Sequence, residues 1–258
     1  MNLNLKNQRF IICGASSGFG HAIAMQLLSE GARVIAVARR GDLLKTLYQP
    51  FSDRVECLEG SLLESETLDA IEQCFISDQV HGIVFNAGGP PTGTPLQTSI
   101  SDWDEAWQLV MRWKIDLALK LAPRFCDSGY GRMLFIESQT VKQPLPSLVL
   151  SNAFRAGIAG FSKSLALEVA PMGVTVNLLA PGSHKTPAIE RVIRKNSIDW
   201  NLSLSEATAR MEKSIPVGRM GKAEEFASLA CWLLSGQSGY VTGQTISHDG
   251  GVVAGLFG

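Results

Sequence analysis

The stretch Gly14-Ala15-Ser16-Ser17-Gly18-Phe19-Gly20 decides the fold of this chain. It follows an apolar run that ends at Cys13 and precedes an amphipathic pattern that begins at His21. Glycines in such a turn let the backbone approach a pyrophosphate, and the next helix offers free N–H groups and the positive end of its dipole. A glycine motif alone is a weak indication, because ordinary turns between a strand and a helix also use glycine. Here a strand, a helix and a second strand at the proper distance predict a Rossmann-type dinucleotide site.

The end of the second strand indicates which dinucleotide binds. Val34–Ala38 is followed by Arg39 and Arg40, and the first acidic residue after them is Asp42. A site for NAD(H) would place an acid near this point to bind the ribose 2′-hydroxyl. A guanidinium instead pairs with a 2′-phosphate. We therefore predict NADP(H) rather than NAD(H), with Arg39 ahead of Arg40 as the phosphate ligand. The alternative is a solvated basic turn.

Short apolar runs alternate with amphipathic stretches along the whole chain. The runs lack polar alternation, as is typical of parallel strands buried on both faces. The predicted strands are Phe10–Cys13, Arg33–Ala38, Val55–Leu58, Gly82–Phe85, Arg132–Ile136, Thr175–Leu179 and Gln244–Ser247. The predicted helices cover about 18–30, 64–77, 101–124, 150–170 and 222–235. This order predicts an α/β fold: one doubly wound, seven-stranded parallel sheet with helices on both faces.

Composition limits the remaining choices. The chain has 258 residues with a net charge of −1, so no basic face for nucleic acid or an anionic membrane is indicated. Its five cysteines are scattered and form no CxxC pair, which predicts neither disulfides nor a metal site. No apolar run reaches the roughly 18 residues of a membrane span, so we expect a cytoplasmic protein. We predict one domain over 1–258, in which the irregular, polar stretch 184–215 is a substrate lid.

Several motifs together resemble the short-chain dehydrogenase/reductase family, in its branch that includes 3-oxoacyl-[acyl-carrier-protein] reductases. They are GASSGFG at 14–20, Asn86-Ala87-Gly88, Gly131-Arg132 with Ser138, Arg155-Ala156-Gly157, Val176-Asn177, Pro181-Gly182, Pro216-Val217-Gly218-Arg219, Val241-Thr242-Gly243-Gln244 and Asp249-Gly250-Gly251. The resemblance covers essentially the whole chain. It implies a small-molecule substrate and a homo-oligomer, a tetramer or a dimer. It also implies cofactor contacts at Ser61, Leu62, Asn86, Ala87, Gly88, Pro181, Gly182 and Thr186.

The catalytic positions depart from the family pattern. The family reduces carbonyls with serine, tyrosine and lysine, supported by an asparagine. Ser138 matches the serine, but Ser151 stands at the tyrosine position, Arg155 at the lysine position and Val110 at the asparagine position. A serine hydroxyl is a far weaker acid than a tyrosine beside a lysine, and arginine stays protonated. Because Ser151 and Arg155 lie four residues apart on one helix face, we expect them to form a hydrogen bond.

Two functions stay open at this point. The first is an NADP(H)-dependent oxidoreductase in which Ser138 and Ser151 polarise the substrate oxygen and Arg155 positions the ribose. The second is a catalytically silent NADP(H)-binding sensor or scaffold. A substitute proton donor is a further question: His184 and Lys142 lie in loops that border the expected site. For both, a solvated surface side chain is the favoured alternative.

Overall fold

Seven parallel strands form the central sheet of the computed structural model, which describes residues 2–256. Met1, Phe257 and Gly258, which the predicted domain includes, lie outside the described residues. The strands are β1 (Arg9–Cys13), β2 (Arg33–Ala38), β3 (Val55–Glu59), β4 (Gly82–Phe85), β5 (Gly131–Ile136), β6 (Val174–Pro181) and β9 (Thr245–His248). Two short strands, β7 (His184–Lys185) and β8 (Gly221–Lys222), pair separately. All seven predicted strands are confirmed, with boundaries shifted by two residues at most.

The sheet order is β3-β2-β1-β4-β5-β6-β9. The strand order therefore reverses between β1 and β4, which are neighbours in the sheet. At such a point the loops leaving the carboxyl ends of the two strands diverge and open a crevice, where ligands bind in folds of this kind. The glycine loop follows β1 and Asn86 follows β4, so both lie at this crevice.

Helices cover both faces of the sheet. They are α1 (Gly18–Ser29), α2 (Gly41–Tyr48), α3 (Ser65–Ser77), α4 (Ile100–Ala106), α5 (Trp113–Asp127), α6 (Val149–Val169), α7 (Pro187–Asp199), α8 (Leu204–Lys213) and α9 (Ala223–Leu234). Alternate β1 residues face opposite cores: Ile11 packs with side chains of α3, α5 and α6, and Ile12 packs with those of α1, α2 and α9. This burial on both sides explains why the strands are almost continuously apolar. Among the described helices, none has the length and hydropathy needed to cross a membrane.

Two parts of the chain differ from the prediction. Helix α2 was not predicted, because its eight residues give too short a periodic pattern to stand out. The stretch 184–215, expected to be irregular, contains α7 and α8. Helix α7 has no buried residue and α8 buries only Ala207, and both consist mainly of polar and charged side chains, which led to the prediction of a polar loop.

The predicted helix over 101–124 is interrupted in the structure. Helix α4 begins after Ser99, whose hydroxyl accepts from the backbone N–H of Asp102 at 3.3 Å. Between α4 and α5, Trp107–Arg112 forms a π-helical segment. A π segment adds a residue to the turn and changes which side chains face inward, and such segments are frequent at functional sites. Here it carries Val110.

Candidate active site

The glycine loop is built so that only glycine fits at its key positions. Gly14 has φ +67°, and a Cβ there would lie 2.8 Å from the backbone oxygen of Asn86. A Cβ on Gly20 would lie 2.3 Å from the carbonyl oxygen of Gly14. Ser17 precedes α1, and its side chain makes no capping hydrogen bond. The loop therefore presents an uncapped helix N-terminus beside a cradle without side chains, which fits a dinucleotide pyrophosphate.

Two neighbours hold this loop in place. The amide Nδ2 of Asn86 donates to the carbonyl of Cys13 at 3.3 Å. The hydroxyl of Tyr48, which is buried, donates to the carbonyl of Ala15 at 2.7 Å. Helix α2 thus brings Tyr48 beneath the loop.

The two predicted arginines are both exposed, and they differ in where they point. Arg40 Nη2 lies 3.1 Å from Ser16 Oγ, so its guanidinium lies against the glycine loop. No described hydrogen bond holds Arg39 there. The turn after β3 lies beside the same strand end, since the N–H of Gly60 donates to the carbonyl of Ala38. Ser61, half-buried, follows directly, and Leu62 packs partly against the core.

The segment after β6 closes the site from the other side. Pro181 ends β6, and the N–H of Gly182 donates to the carbonyl of His248 at 3.1 Å. Thr186 is the N-cap residue of α7, and its Cβ lies 3.9 Å from the position of a Cβ on Gly18. The fold thus brings the glycine loop and the Pro181–Thr186 segment together. Ala87 and Gly88 follow Asn86 after β4, and a Cβ on Gly88 would meet nothing within 4 Å.

The predicted hydrogen bond between Ser151 and Arg155 is present. Arg155 Nε donates to Ser151 Oγ at 2.9 Å, with both residues on α6. Arg155 Nη1 also donates to a carboxylate oxygen of Glu137 at 2.8 Å. Ser138, the next residue after Glu137, is half-buried, and its Oγ accepts from the N–H of Thr140 at 3.2 Å. The three predicted catalytic residues are therefore linked through Glu137 and the chain that follows β5.

Sequence reasoning missed Glu137 and Lys114. Lys114, on α5, donates to the second oxygen of the Glu137 carboxylate. Both side chains are buried, and desolvation lowers the pKa of Lys114 while Glu137 opposes that shift. A signal was available, because Lys114 interrupts an apolar helix face and Glu137 ends an apolar strand. Buried charges of this kind require a partner. Val110, one turn before Lys114, is also buried.

His184 is buried, so its interpretation as a solvated loop residue is wrong. Its Nδ1 lies 3.0 Å from the carbonyl of Gly182, and its Nε2 lies 2.8 Å from Nδ1 of His248. The carbonyl requires a donor at His184 Nδ1, so Nε2 accepts from His248. Its ring also packs edge-on against Phe19, at 5.1 Å between centroids. Burial is the main cause that lowers the pKa of His184.

The second candidate proton donor from the sequence is Lys142, and the two remaining tyrosines and Gln139 are described with it. Lys142 is half-buried, and desolvation lowers its pKa against an opposing effect of Asp249. Tyr130 stands at the amino end of β5, at the edge of the sheet opposite the glycine loop. Tyr240 is fully exposed. Gln139 Oε1, next to Ser138, is buried with no hydrogen-bond partner among the described residues. It lies 2.9 Å from the position of a Cβ on Gly182, so a free acceptor from the loop after β5 lies beside the Pro181–Thr186 segment.

Comparison with known proteins gives a consistent result. A family model described as Enoyl-(Acyl carrier protein) reductase matches residues 14–253. Nodulation protein G of Rhizobium sp. (strain N33) is 32% identical over 250 residues, covering 96% of this chain and 98% of that protein. A 3-oxoacyl-[acyl-carrier-protein] reductase of Buchnera aphidicola is 30% identical, covering 97% and 99% of the two chains. L-sorbose reductase from Gluconobacter frateurii, solved with NADPH and L-sorbose, has a TM-score of 0.92 at 28% identity, covering 99% of this chain and 100% of that one.

Proposed function

The chain belongs to the short-chain dehydrogenase/reductase family, and we propose that it is an NADP(H)-dependent oxidoreductase that interconverts a carbonyl and an alcohol at an atypical Ser138–Ser151–Arg155 site. The observation that supports this most directly is the link from Ser151 through Arg155 to Glu137, beside Ser138. It keeps polar, cationic groups where the family places its catalytic side chains. The intact glycine cradle supports cofactor binding independently.

The preference for NADP(H) rests on the basic end of β2. Arg40 is directed toward the glycine loop by Ser16, and Arg39 is exposed beside it. Either guanidinium can pair with a ribose 2′-phosphate, and a carboxylate is absent from the positions directly after β2. The geometry favours Arg40, which reverses the ranking from the sequence. The NADPH complex of the L-sorbose reductase is consistent with this choice.

Side chains of this protein bind and polarise the substrate oxygen. When bound, a nicotinamide would supply or accept the hydride. Ser138 and Ser151 donate hydrogen bonds to the carbonyl oxygen, which receives the π electron pair when the hydride adds to carbon. That oxygen then takes a proton from water. Arg155 holds the nicotinamide ribose with the donors that Ser151 and Glu137 leave unused. General acid–base catalysis is worth about 10²- to 10⁴-fold, so we expect slow turnover in a site without the family tyrosine.

The substrate class and the assembly are finer proposals. The 3-oxoacyl-[acyl-carrier-protein] reductase of Buchnera aphidicola favours a 3-oxoacyl thioester. Helices α7 and α8 within 184–215 form the lid that selects it. Leu119 on α5 and Leu167 on α6 are exposed, and the burial of these faces in a dimer or tetramer would remove apolar surface from water.

Titration followed by turnover on the same sample tests this function. NADPH and NADH binding is measured by nicotinamide fluorescence, and NADPH oxidation is then followed with ketones that include acetoacetyl-coenzyme A and L-sorbose. We expect tighter NADPH binding and slow oxidation that falls in Ser138→Ala. Ser164→Ala, an exposed serine on α6, is the matched control. NADPH binding without turnover across the panel would instead support the silent sensor or scaffold.

A further inference from the structure

Three charged side chains meet in the interior beneath the proposed site. The side chains of Lys114 and Glu137 are 2% and 0% exposed, and that of Arg155 is 10% exposed. They come from α5, the residue directly after β5, and α6. Burying charges costs free energy, and an apolar set of similar volume is often as stable or more so. A cluster of this kind therefore calls for an explanation beyond the stability of the fold.

Glu137 is the centre of the cluster. One carboxylate oxygen accepts from Lys114 Nζ and the other accepts from Arg155 Nη1 at 2.8 Å. With two cations bound, one to each oxygen, the carboxylate has little freedom to rotate. Arg155 is thereby held from one side by Glu137 and from the other by Ser151, at 2.9 Å from Nε.

The arrangement leaves one end of the guanidinium uncommitted. Arg155 Nη2 has no hydrogen-bond partner among the described residues, and it lies 3.2 Å from the position of a Cβ on Gly89. Gly89 follows Asn86-Ala87-Gly88, the stretch after β4 at the crevice. The free donor thus faces the loop proposed to border the cofactor. A side chain at position 89 would reduce the space between Arg155 Nη2 and this loop.

We propose that Lys114 and Glu137 are positioning residues that hold the Arg155 guanidinium with Nη2 directed at the cofactor ribose. The inference rests on the proposed function for the identity of the ligand. A long, flexible arginine has several rotamers, and two charge-assisted hydrogen bonds at Nε and Nη1 select one of them. Lys114 acts through Glu137 and does not itself contact the ligand.

The first experiment replaces the pair by apolar residues of similar volume, in Lys114→Met/Glu137→Leu. The variant removes the fully buried Lys114 charge together with Glu137, and Arg155, 10% exposed, keeps its hydrogen bond to Ser151. It is therefore expected to fold, which circular dichroism and thermal melting check. The dissociation constant for NADPH is expected to rise about tenfold, with kcat falling by a similar factor and KM for the ketone nearly unchanged. Loss of a hydrogen bond from a charged donor to a ligand costs about 10- to 100-fold in affinity, and misplacement of that donor costs part of it. A folded variant with wild-type NADPH affinity and kcat would overturn the proposal.

The second experiment has a readout that a purely structural role would not move. In Arg155→Ala, guanidinium chloride at low millimolar concentration is expected to restore part of the lost NADPH affinity, because Glu137 still offers it a site. The same addition is expected to fail in Arg155→Ala/Lys114→Met/Glu137→Leu. Arg124→Ala, which removes an exposed partner of Glu72, is the matched control and should show no response. Equal rescue with and without Glu137, or none in Arg155→Ala, contradicts the inference.

These outcomes also separate the inference from the proposed function. If the wild-type protein binds NADPH and turns over no ketone, the proposed reaction fails, yet rescue of NADPH affinity that depends on Glu137 still supports the positioning role. If turnover is found and the Lys114→Met/Glu137→Leu variant retains it in full, the reaction stands and the positioning role is wrong.

Discussion

The hydroxyl of Tyr48 donates a 2.7 Å hydrogen bond to the carbonyl of Ala15, so a buried tyrosine on α2 supports the glycine loop from below. Burial raises the pKa of Tyr48, which keeps the hydroxyl protonated and able to donate. Nδ1 of His21, on α1, lies 3.2 Å from the same hydroxyl. The stability of the cofactor loop is therefore tied to a helix that makes no predicted contact with the cofactor.

Tyr48→Phe removes this hydrogen bond and keeps the ring. We expect the free energy of unfolding to fall by about 1 kcal/mol, because the carbonyl of Ala15 loses a partner. The dissociation constant for NADPH should rise modestly. Urea denaturation and fluorescence titration measure the two effects. Tyr240→Phe, at a fully exposed ring, is the control and should change neither quantity.

Gly14→Ala tests the shape of the cradle itself. The backbone at Gly14 has φ +67°, and the added Cβ would lie 2.8 Å from the backbone oxygen of Asn86. The variant is expected to lose measurable NADPH binding, since the loop must shift where the pyrophosphate approaches. Gly160→Ala, on an exposed turn of α6 where a Cβ meets nothing within 4 Å, is the matched control. Its NADPH affinity should be unchanged, and its stability should rise by up to about 1 kcal/mol. NADPH affinity unaltered in Gly14→Ala would argue against this loop as the pyrophosphate site.

Arg40→Ala and Arg39→Ala together test the coenzyme preference. Loss of a guanidinium that pairs with the 2′-phosphate should weaken NADPH binding and leave NADH binding nearly unchanged. Because Arg40 is held at Ser16 Oγ, we expect the larger effect in Arg40→Ala, about 10-fold or more for a charge-assisted contact worth about 1.5–3 kcal/mol. A larger effect in Arg39→Ala would restore the ranking made from the sequence. Equal weakening of NADPH and NADH binding would show that neither arginine contacts the 2′-phosphate.

The fold was largely predictable because its signals are local. Parallel strands such as β2 and β5 are apolar on both faces, and each reads as a short run without reference to the rest of the chain. The two helices that were missed within 184–215, α7 and α8, bury almost nothing and are polar overall, so this stretch resembled a loop. One local signal was nevertheless present: Ser203 and Glu206 form a capping box at the start of α8.

The site was predictable only in part, because its key contacts are not local. Ser151 and Arg155 lie on one helix, and their hydrogen bond followed from a spacing of four residues. Glu137 meets Lys114 across 23 positions of sequence. His184 meets His248 across 64 positions. These pairs cannot be identified until the sheet order is known. For this reason His184 was interpreted as a loop residue and Lys114 was not singled out.

His184 gives a pH dependence of stability. Its folded-state pKa lies below the ordinary value of 6.5, mainly through desolvation; His248 and Arg219 act in the same direction, and Gly182 and Glu225 oppose it. Below pH 6.5 the unfolded chain therefore binds a proton more readily than the folded chain does. The contribution of His184 is fully present above that pH and is lost as the pH falls toward the folded-state pKa.

Denaturation at pH 7.5 and at pH 5.5 measures this effect. His21 and His81, whose pKa values burial also lowers, act in the same window and remain in the variant. We therefore expect His184→Gln to lose less stability between the two pH values than the wild-type protein does. Identical pH slopes for the two proteins would contradict the assignment.

The Lys114–Glu137 pair makes a last prediction, on stability. Glu137→Leu leaves Lys114 charged, 2% exposed and without its carboxylate partner, so we expect a loss of about 3–5 kcal/mol in the free energy of unfolding. Adding Lys114→Met should recover part of that loss, because it removes the Lys114 charge while Arg155, 10% exposed, still lacks its carboxylate partner. The loss in the double variant is thus smaller than the sum of the losses in the two single variants. Matched denaturation curves for the wild type, both single variants and the double variant give this coupling. Losses that simply add would mean that the two side chains do not interact in solution.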